Sequence, residues 1–392
     1  MDFTLAPEQE MLRGGLNKFL SSRYDLEKSR GVAKTGIGWQ PDVWRSFADE
    51  LGILGAVLPE AVGGMGGGSV ELMVIAEALG RALVIEPFVD TVVVAGGLLA
   101  RADGDAARSV LERIVAGTAI VAFAAAEPTS GHHLQDVSTT AVRDGDEWVL
   151  HGDKTVVLSA PLATHLLISA RTSGSRTDEV GVSLFLAEFD ATTPAPGFAV
   201  HGYRTIDDRR AADVILDGVR LPAGALLGDA GDAWPSIARA VDEGAVAVSA
   251  EAVGCMRKVL ADTVAYCKQR QQFGQPLGSF QVLQHRLVDM YMELEQAVSA
   301  VYLAVLNLEA KDDVRARAVS AMKVTIGRAA RFIGQNSVQL HGGMGVTEEL
   351  AIGYFFKRLT ALQYEFGTTD QHLARYARLT NPPSSVDQDR SA

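Results

Sequence analysis

The hydrophobic period of this chain changes twice, and those two changes constrain its fold more than any single motif. Up to about residue 118 apolar residues recur at helical spacing. Pro7 stands where a helix start tolerates it, with Glu8 and Glu10 in the first turn. Pro41-Asp42 open a second segment, reaching about residue 57, with Trp44, Phe47 and Leu51 at helical spacing. From about residue 119 the pattern shortens. Val142, Trp148-Val149-Leu150 and Thr155-Val156-Val157 read as strands, with Asp144-Gly145 and His151-Gly152 as tight turns between them. The runs 182–186 and 214–218 continue this, helices return near Trp234, and they persist to about residue 378. Helices, then strands, then helices predict an α+β protein in three segregated pieces, not an alternating doubly wound sheet. The expected pieces are 1–118, 119–230 and 231–380, followed by a disordered tail over 381–392.

Bulk properties exclude several classes. A net charge of −12 argues against nucleic acid, whose phosphates demand a basic surface, and against a polybasic membrane anchor. The opening Met1-Asp2-Phe3-Thr4 lacks a basic and an apolar region, so no signal peptide is expected, and no apolar run is long enough to predict a membrane span. A cytoplasmic location follows as the expectation. Cys255 and Cys267 fall in one predicted helix about 12 positions, or roughly 18 Å, apart. They read as reduced, packed thiols, not as a bridge. The run Gly63-Gly64-Met65-Gly66-Gly67-Gly68 has no strand before it and matches no nucleotide fingerprint, so it reads as a flexible connector.

Four stretches together resemble the acyl-CoA dehydrogenase family. They are Leu51-Gly52 through Pro59-Glu60-Ala61-Val62-Gly63-Gly64, then Glu127-Pro128 after an apolar strand, Arg270-Gln271-Gln272-Phe273-Gly274 with Gln281, and Gln339-Leu340-His341-Gly342-Gly343-Met344-Gly345. The resemblance implies an N-terminal helical domain, a middle β-barrel domain and a C-terminal four-helix bundle, in dimers or tetramers. It implies α,β-desaturation of an acyl-CoA thioester with FAD, in which a carboxylate removes the α-proton, and an electron-transfer flavoprotein as electron acceptor. An apolar pocket raises such a carboxylate toward a useful range.

Carried over residue by residue, the resemblance splits the cofactor site in two. Arg270 matches the arginine that meets the FAD pyrophosphate. Phe273, Gln281, Gln339, Gly342, Gly343 and Thr368 match further FAD contacts, the glycines letting backbone approach closely. On the flavin side the family's Thr-Glu-Pro reads Ala126-Glu127-Pro128, the serine that follows falls on His132, and Trp-Ile-Thr reads Val156-Val157-Leu158. Ala126 and Leu158 therefore stand at cofactor positions without the hydroxyls. The base motif Tyr-Glu-Gly-Thr reads Tyr364-Glu365-Phe366-Gly367-Thr368, so Phe366 takes the base position and Glu365 is displaced by one. Glu243 is the first candidate for a base placed on an earlier helix, Glu365 the second and Glu251 the third. His341, inside the glycine loop, and His285, on an amphipathic helix, read as structural.

Three functional classes follow. The first is a cofactor-completing partner in a heteromeric α2β2 acyl-CoA dehydrogenase with a degraded site of its own, as the resemblance to family members that work as heteromers of unlike subunits implies. The second, which the resemblance to the small subunit of pimeloyl-CoA dehydrogenase supports, is a self-sufficient homo-oligomeric enzyme with a displaced base, Glu243. The third class, a non-redox acyl-CoA-binding scaffold, leaves the retained FAD positions without a reason.

Overall fold

A computed structural model describes residues 4–381; the tail expected to be disordered lies, from residue 382 onward, outside the described residues. The helices are α1 Pro7–Arg23, α2 Leu26–Thr35, α3 Pro41–Asp49, α4 Ser69–Arg81, α5 Gly96–Ala100, α6 Asp105–Val115, α7 Trp234–Gln269, α8 Gln281–Leu306, α9 Asp312–His341, α10 Ile352–Leu362 and α11 Thr369–Thr380. The strands are β1 Val121–Ala124, β2 Thr140–Asp144, β3 Glu147–Leu158, β4 His165–Arg171, β5 Val182–Glu188, β6 Phe198–Arg204, β7 Arg210–Pro222, β8 Leu226–Leu227, β9 Gln271–Gln272 and β10 Gln275–Pro276. The helix–strand–helix order expected from the sequence is present. The chain forms two compact units. One comprises Ser22–Leu72 and Ile85–Gly244; the other comprises the residues up to Ser21, Met73–Val84 and those from Ala245 onward.

The first unit holds an eight-stranded sheet in the order β6-β7-β3-β2-β4-β5-β8, with β1 parallel to β4. Gly145, at φ 62°, closes the β2–β3 hairpin as expected. His151-Gly152 is not a turn. β3 runs through it as one strand, and the register shift beside it leaves Gly218 of β7 as the extra residue between the Leu150–Val219 and His151–Asp217 pairs. Gly152 itself lies so close to Thr139 that a Cβ would overlap that side chain. A second irregularity follows between Lys154 and Val157. The segment opened by Pro41 is also shorter than its pattern, since α3 ends at Asp49 and turns replace its continuation. Nor is the glycine run slack. Met65, Gly66 and Gly67 donate to the carbonyls of Gly55, Leu58 and Ala56 at 2.8–2.9 Å. A Cβ at Gly64 would overlap the Leu58 carbonyl, so glycine serves close approach here instead of flexibility.

The second unit is helical. α8, α10 and α11 pack along α9, and α7 is buried from Ala245 through Met256, as a helix apolar on all sides must be. α4 crosses α7 at Gly80 and Gly254, where a Cβ on either would overlap the carbonyl of Glu251 or Glu77 respectively. Cys255 and Cys267 are buried thiols on α7, not joined in a disulfide, and Cys255 Sγ donates to the Gly80 carbonyl at 3.1 Å. Among the described residues no helix is long and apolar enough to cross a membrane.

Candidate active site

The residues expected at the pyrophosphate end gather at one end of the helical unit. Arg270 follows the last residue of α7, and the β9–β10 hairpin turns at Phe273-Gly274 with φ of 55° and 81°. Phe273 is 90% exposed, far beyond what an aromatic ring of a finished surface shows. Gln281 opens α8, and Gln339 stands exposed on the last turn of α9. Gly342 adopts φ 56°, ψ −140°, a conformation confined to glycine, and a Cβ at Gly343 would meet nothing within 4 Å. Tyr266 binds these pieces together. It lies one helical turn before Arg270 and stacks on His341 with ring centroids 4.3 Å apart, and His341 in turn donates from Nδ1 to the Ser337 carbonyl at 2.8 Å. His341 is thus structural, as its sequence context suggests. Tyr266 is absent from the sequence-based candidates; its place four residues before Arg270 is the signal that points to it.

Thr368 caps α11. Its hydroxyl accepts from the Gln371 amide at 3.3 Å, and its amide donates to Gln371 Oε1 at 2.9 Å. The hydroxyl hydrogen remains available to a ligand.

The flavin-side positions lie in the sheet unit. The Thr155 amide donates to the Ala126 carbonyl at 2.9 Å, and Leu158 pairs with Ala211 in the β3–β7 ladder. Asp213 Oδ1 accepts from the Thr155 hydroxyl at 2.8 Å, the Val156 amide at 3.0 Å and the Tyr203 hydroxyl at 3.0 Å. Val156 is consequently held at φ 50°, a rare conformation for a β-branched residue, with an exposed side chain. The neighbouring backbone is fixed by Glu127, which accepts from the amides of Ser138 and Thr139 at 2.8 and 3.0 Å and from Lys154 Nζ at 2.8 Å. Burial opposes that carboxylate's charge, but Lys154 and these donors outweigh burial and hold it at about 2.

The candidate bases are all committed to arginines. Glu243 accepts from Arg101 Nη1 at 3.0 Å through both oxygens and from Arg239 Nε at 2.9 Å. Gly97 makes room for this clamp, since a Cβ there would lie 2.8 Å from Glu243 Oε2. Glu251 accepts from Arg358 Nε at 2.7 Å and Nη2 at 2.8 Å. The same guanidinium reaches both oxygens of Glu365. The structure therefore brings Glu251 and Glu365 together and gives Glu243 separate partners. Arg358 is likewise absent from the sequence-based candidates. Its signal is a cation on the apolar face of α10, in register with Phe355, Leu359 and Leu362.

Family models for the acyl-CoA dehydrogenase N-terminal, middle and C-terminal domains match residues 6–118, 122–219 and 231–379. Acyl-CoA dehydrogenase FadE12 of Mycobacterium tuberculosis is 30% identical over 363 residues, covering 89% of this chain and 90% of that one. The chain belongs to the acyl-CoA dehydrogenase family, a family of oxidoreductases. Among solved structures it is similar to a variant of the Tcur3481-Tcur3483 steroid ACAD, with 29% identity, a TM-score of 0.85 and coverage of 99% of this chain and 100% of that one. It is similar also to the ChsE4-ChsE5 complex from Mycobacterium tuberculosis, with 25% identity, a TM-score of 0.86 and coverage of 98% and 100%.

Proposed function

We propose that this chain is the cofactor-completing subunit of a heteromeric, FAD-dependent acyl-CoA dehydrogenase, an α2β2 assembly in which an unlike, related subunit supplies the flavin bed and the base. One observation carries this reading: Glu243, Glu251 and Glu365 each accept from arginine through both carboxylate oxygens, while Phe366 falls where the resemblance puts the base. A general base must offer a lone pair to the substrate within hydrogen-bond reach. Each of these carboxylates keeps a spare lone pair, but each is oriented by an arginine that holds both of its oxygens.

The residues present fit the two ends of FAD unequally. At the pyrophosphate end, Arg270 supplies charge, the exposed Phe273 an apolar face, and Gly342-Gly343 an open backbone. At the flavin end Ala126, Val156, Val157 and Leu158 carry no side-chain donor, and the Thr155 hydroxyl is spent on Asp213. When bound, FAD supplies the two-electron acceptor for desaturation of an acyl-CoA. The chain's own part is to hold the dinucleotide, with Arg270 opposing its charge and Thr368 donating a hydroxyl hydrogen, and to stabilise the partner's site by doing so. An electron-transfer flavoprotein is the electron acceptor of this reading. The complexes named for Tcur3481-Tcur3483 and ChsE4-ChsE5, which pair two names, support a heteromer.

The test is the visible spectrum and flavin-to-polypeptide ratio of the chain purified alone and co-expressed with its genomic neighbour. Flavin only in the pair, near one per pair, is the expected result. About one flavin per chain when alone, bleached by an acyl-CoA, would overturn it in favour of a self-sufficient homo-oligomer with Glu243 as base.

A further inference from the structure

The chain turns from α10 into α11 through residues 362–368, and α9 holds this turn by its backbone oxygens. Lys323 is 1% exposed. Its Nζ donates to the carbonyls of Leu362 at 3.0 Å and Glu365 at 2.8 Å. One turn earlier on α9, Ser320 Oγ faces His372 Nδ1 at 3.4 Å, and His372 Nε2 donates to the Phe366 carbonyl at 2.8 Å. One turn later, Gly327 leaves room for Thr369, whose hydroxyl a Cβ would overlap. Between these anchors Phe366 and Gly367 take φ of 57° and 106°. The left-handed conformation is disfavoured for a residue with a Cβ, and such strain persists only where surroundings impose it. The anchors on carbonyls 365 and 366 impose it here.

We propose that Lys323 is the positioning residue of this loop: its buried Nζ, donating to two carbonyls, fixes the backbone of residues 362–368 so that Glu365 is committed to Arg358 while position 366 takes the left-handed turn. The order matters, because backbone and side chain are separately held. Lys323 grips the Glu365 carbonyl, whereas Arg358 grips the Glu365 carboxylate. An ammonium on two carbonyls is a charge-assisted contact that a buried cation requires. The backbone anchor therefore decides which side chain stands where, and the ion pair follows from it. The inference rests on the proposed function and deepens it by naming what holds Glu365 away from the base position.

Hydrogen exchange of the loop amides in the full-length chain tests it without flavin or turnover, so it and the proposed function can fail separately. Lys323→Met should raise exchange over 363–368 roughly tenfold or more relative to α8, the scale of a lost charge-assisted hydrogen bond. Glu365→Gln should leave it within roughly threefold of the unaltered chain. Unchanged exchange in K323M, or an equal rise in E365Q, overturns the proposal. If K323M does not fold, a pH series on the unaltered chain decides. Burial pulls the Lys323 ammonium down to about 8 from its ordinary 10.5, with Glu365 opposing and Arg358 assisting; Glu251 lies behind Arg358, and His372 faces the loop from α11. An opened loop returns Lys323 to water and binds the extra proton, so opening must become rarer as pH rises from about 8 to 10.5. Opening that is flat or rising over that window overturns it.

Discussion

Glu251 and Arg358 form a two-bonded ion pair in which each side chain is only 4% exposed, Nε to Oε1 at 2.7 Å and Nη2 to Oε2 at 2.8 Å. Such a pair adds little net stability over well-packed apolar residues, but removing one member strands a buried charge. Arg358→Met should therefore cost ~3–5 kcal/mol, and Glu251→Leu combined with Arg358→Met should cost clearly less than the single change. Urea unfolding midpoints check both. A single-variant cost under ~1 kcal/mol would mean that the carboxylates tolerate the loss of their cation.

Glu86 makes stability depend on pH. It is 2% exposed, accepts from the Gln40 amide at 3.0 Å and lies beside Tyr24, itself pushed well above its usual value by burial. Burial raises the Glu86 carboxyl from 4.5 to about 7. A carboxyl raised on folding gives stability that is fully present below its unfolded value and lost as pH rises through its folded value. Stability should fall between about pH 4.5 and 7 by at most roughly 3 kcal/mol from this group. Glu86→Gln should flatten that window and leave the protein more stable than the parent at pH 8, as thermal melts across pH would show.

Phe273 separates stability from cofactor holding. At 90% exposure it contributes little to the fold, so Phe273→Ala should move stability by no more than ~0.5 kcal/mol. Flavin retained by the co-purified assembly should fall severalfold. Equal flavin occupancy in the variant would remove Phe273 from the cofactor surface.

The α4–α7 crossing depends on two glycines. Gly80→Ala and Gly254→Ala each force a Cβ onto a carbonyl and should cost about 1–3 kcal/mol. Gly343→Ala, with open space around its Cβ, should not. Melting temperatures of the three variants compare them directly.

The order of elements was legible because period two and period 3.6 leave different marks on a sequence. The stretches proposed to hold the dinucleotide stand out in the sequence because Arg270 to Gly274 and Gln339 to Gly345 are contiguous motifs. What was not legible depends on residues distant in sequence. Nothing local to Glu251 says that Arg358 meets it 107 positions later. Gly152 mimicked a hairpin turn because glycine after a polar residue marks turns and close backbone approaches alike, and only its approach to Thr139 separates them. The glycine run looked slack for a similar reason: composition reports that a backbone can bend, not that its amides find partners.

Glu251, Glu365, Arg358 and Lys323 carry two negative and two positive charges, and together they sum to nothing in the interior of the helical unit. That balance makes them a single heritable unit. Loss of any one leaves its neighbours with an excess of one sign, so a single substitution here carries an electrostatic cost that a paired one avoids. Releasing the Glu365 carboxylate without leaving a net charge behind takes a second change among the four. A carboxylate placed at position 366 would leave all four as they are.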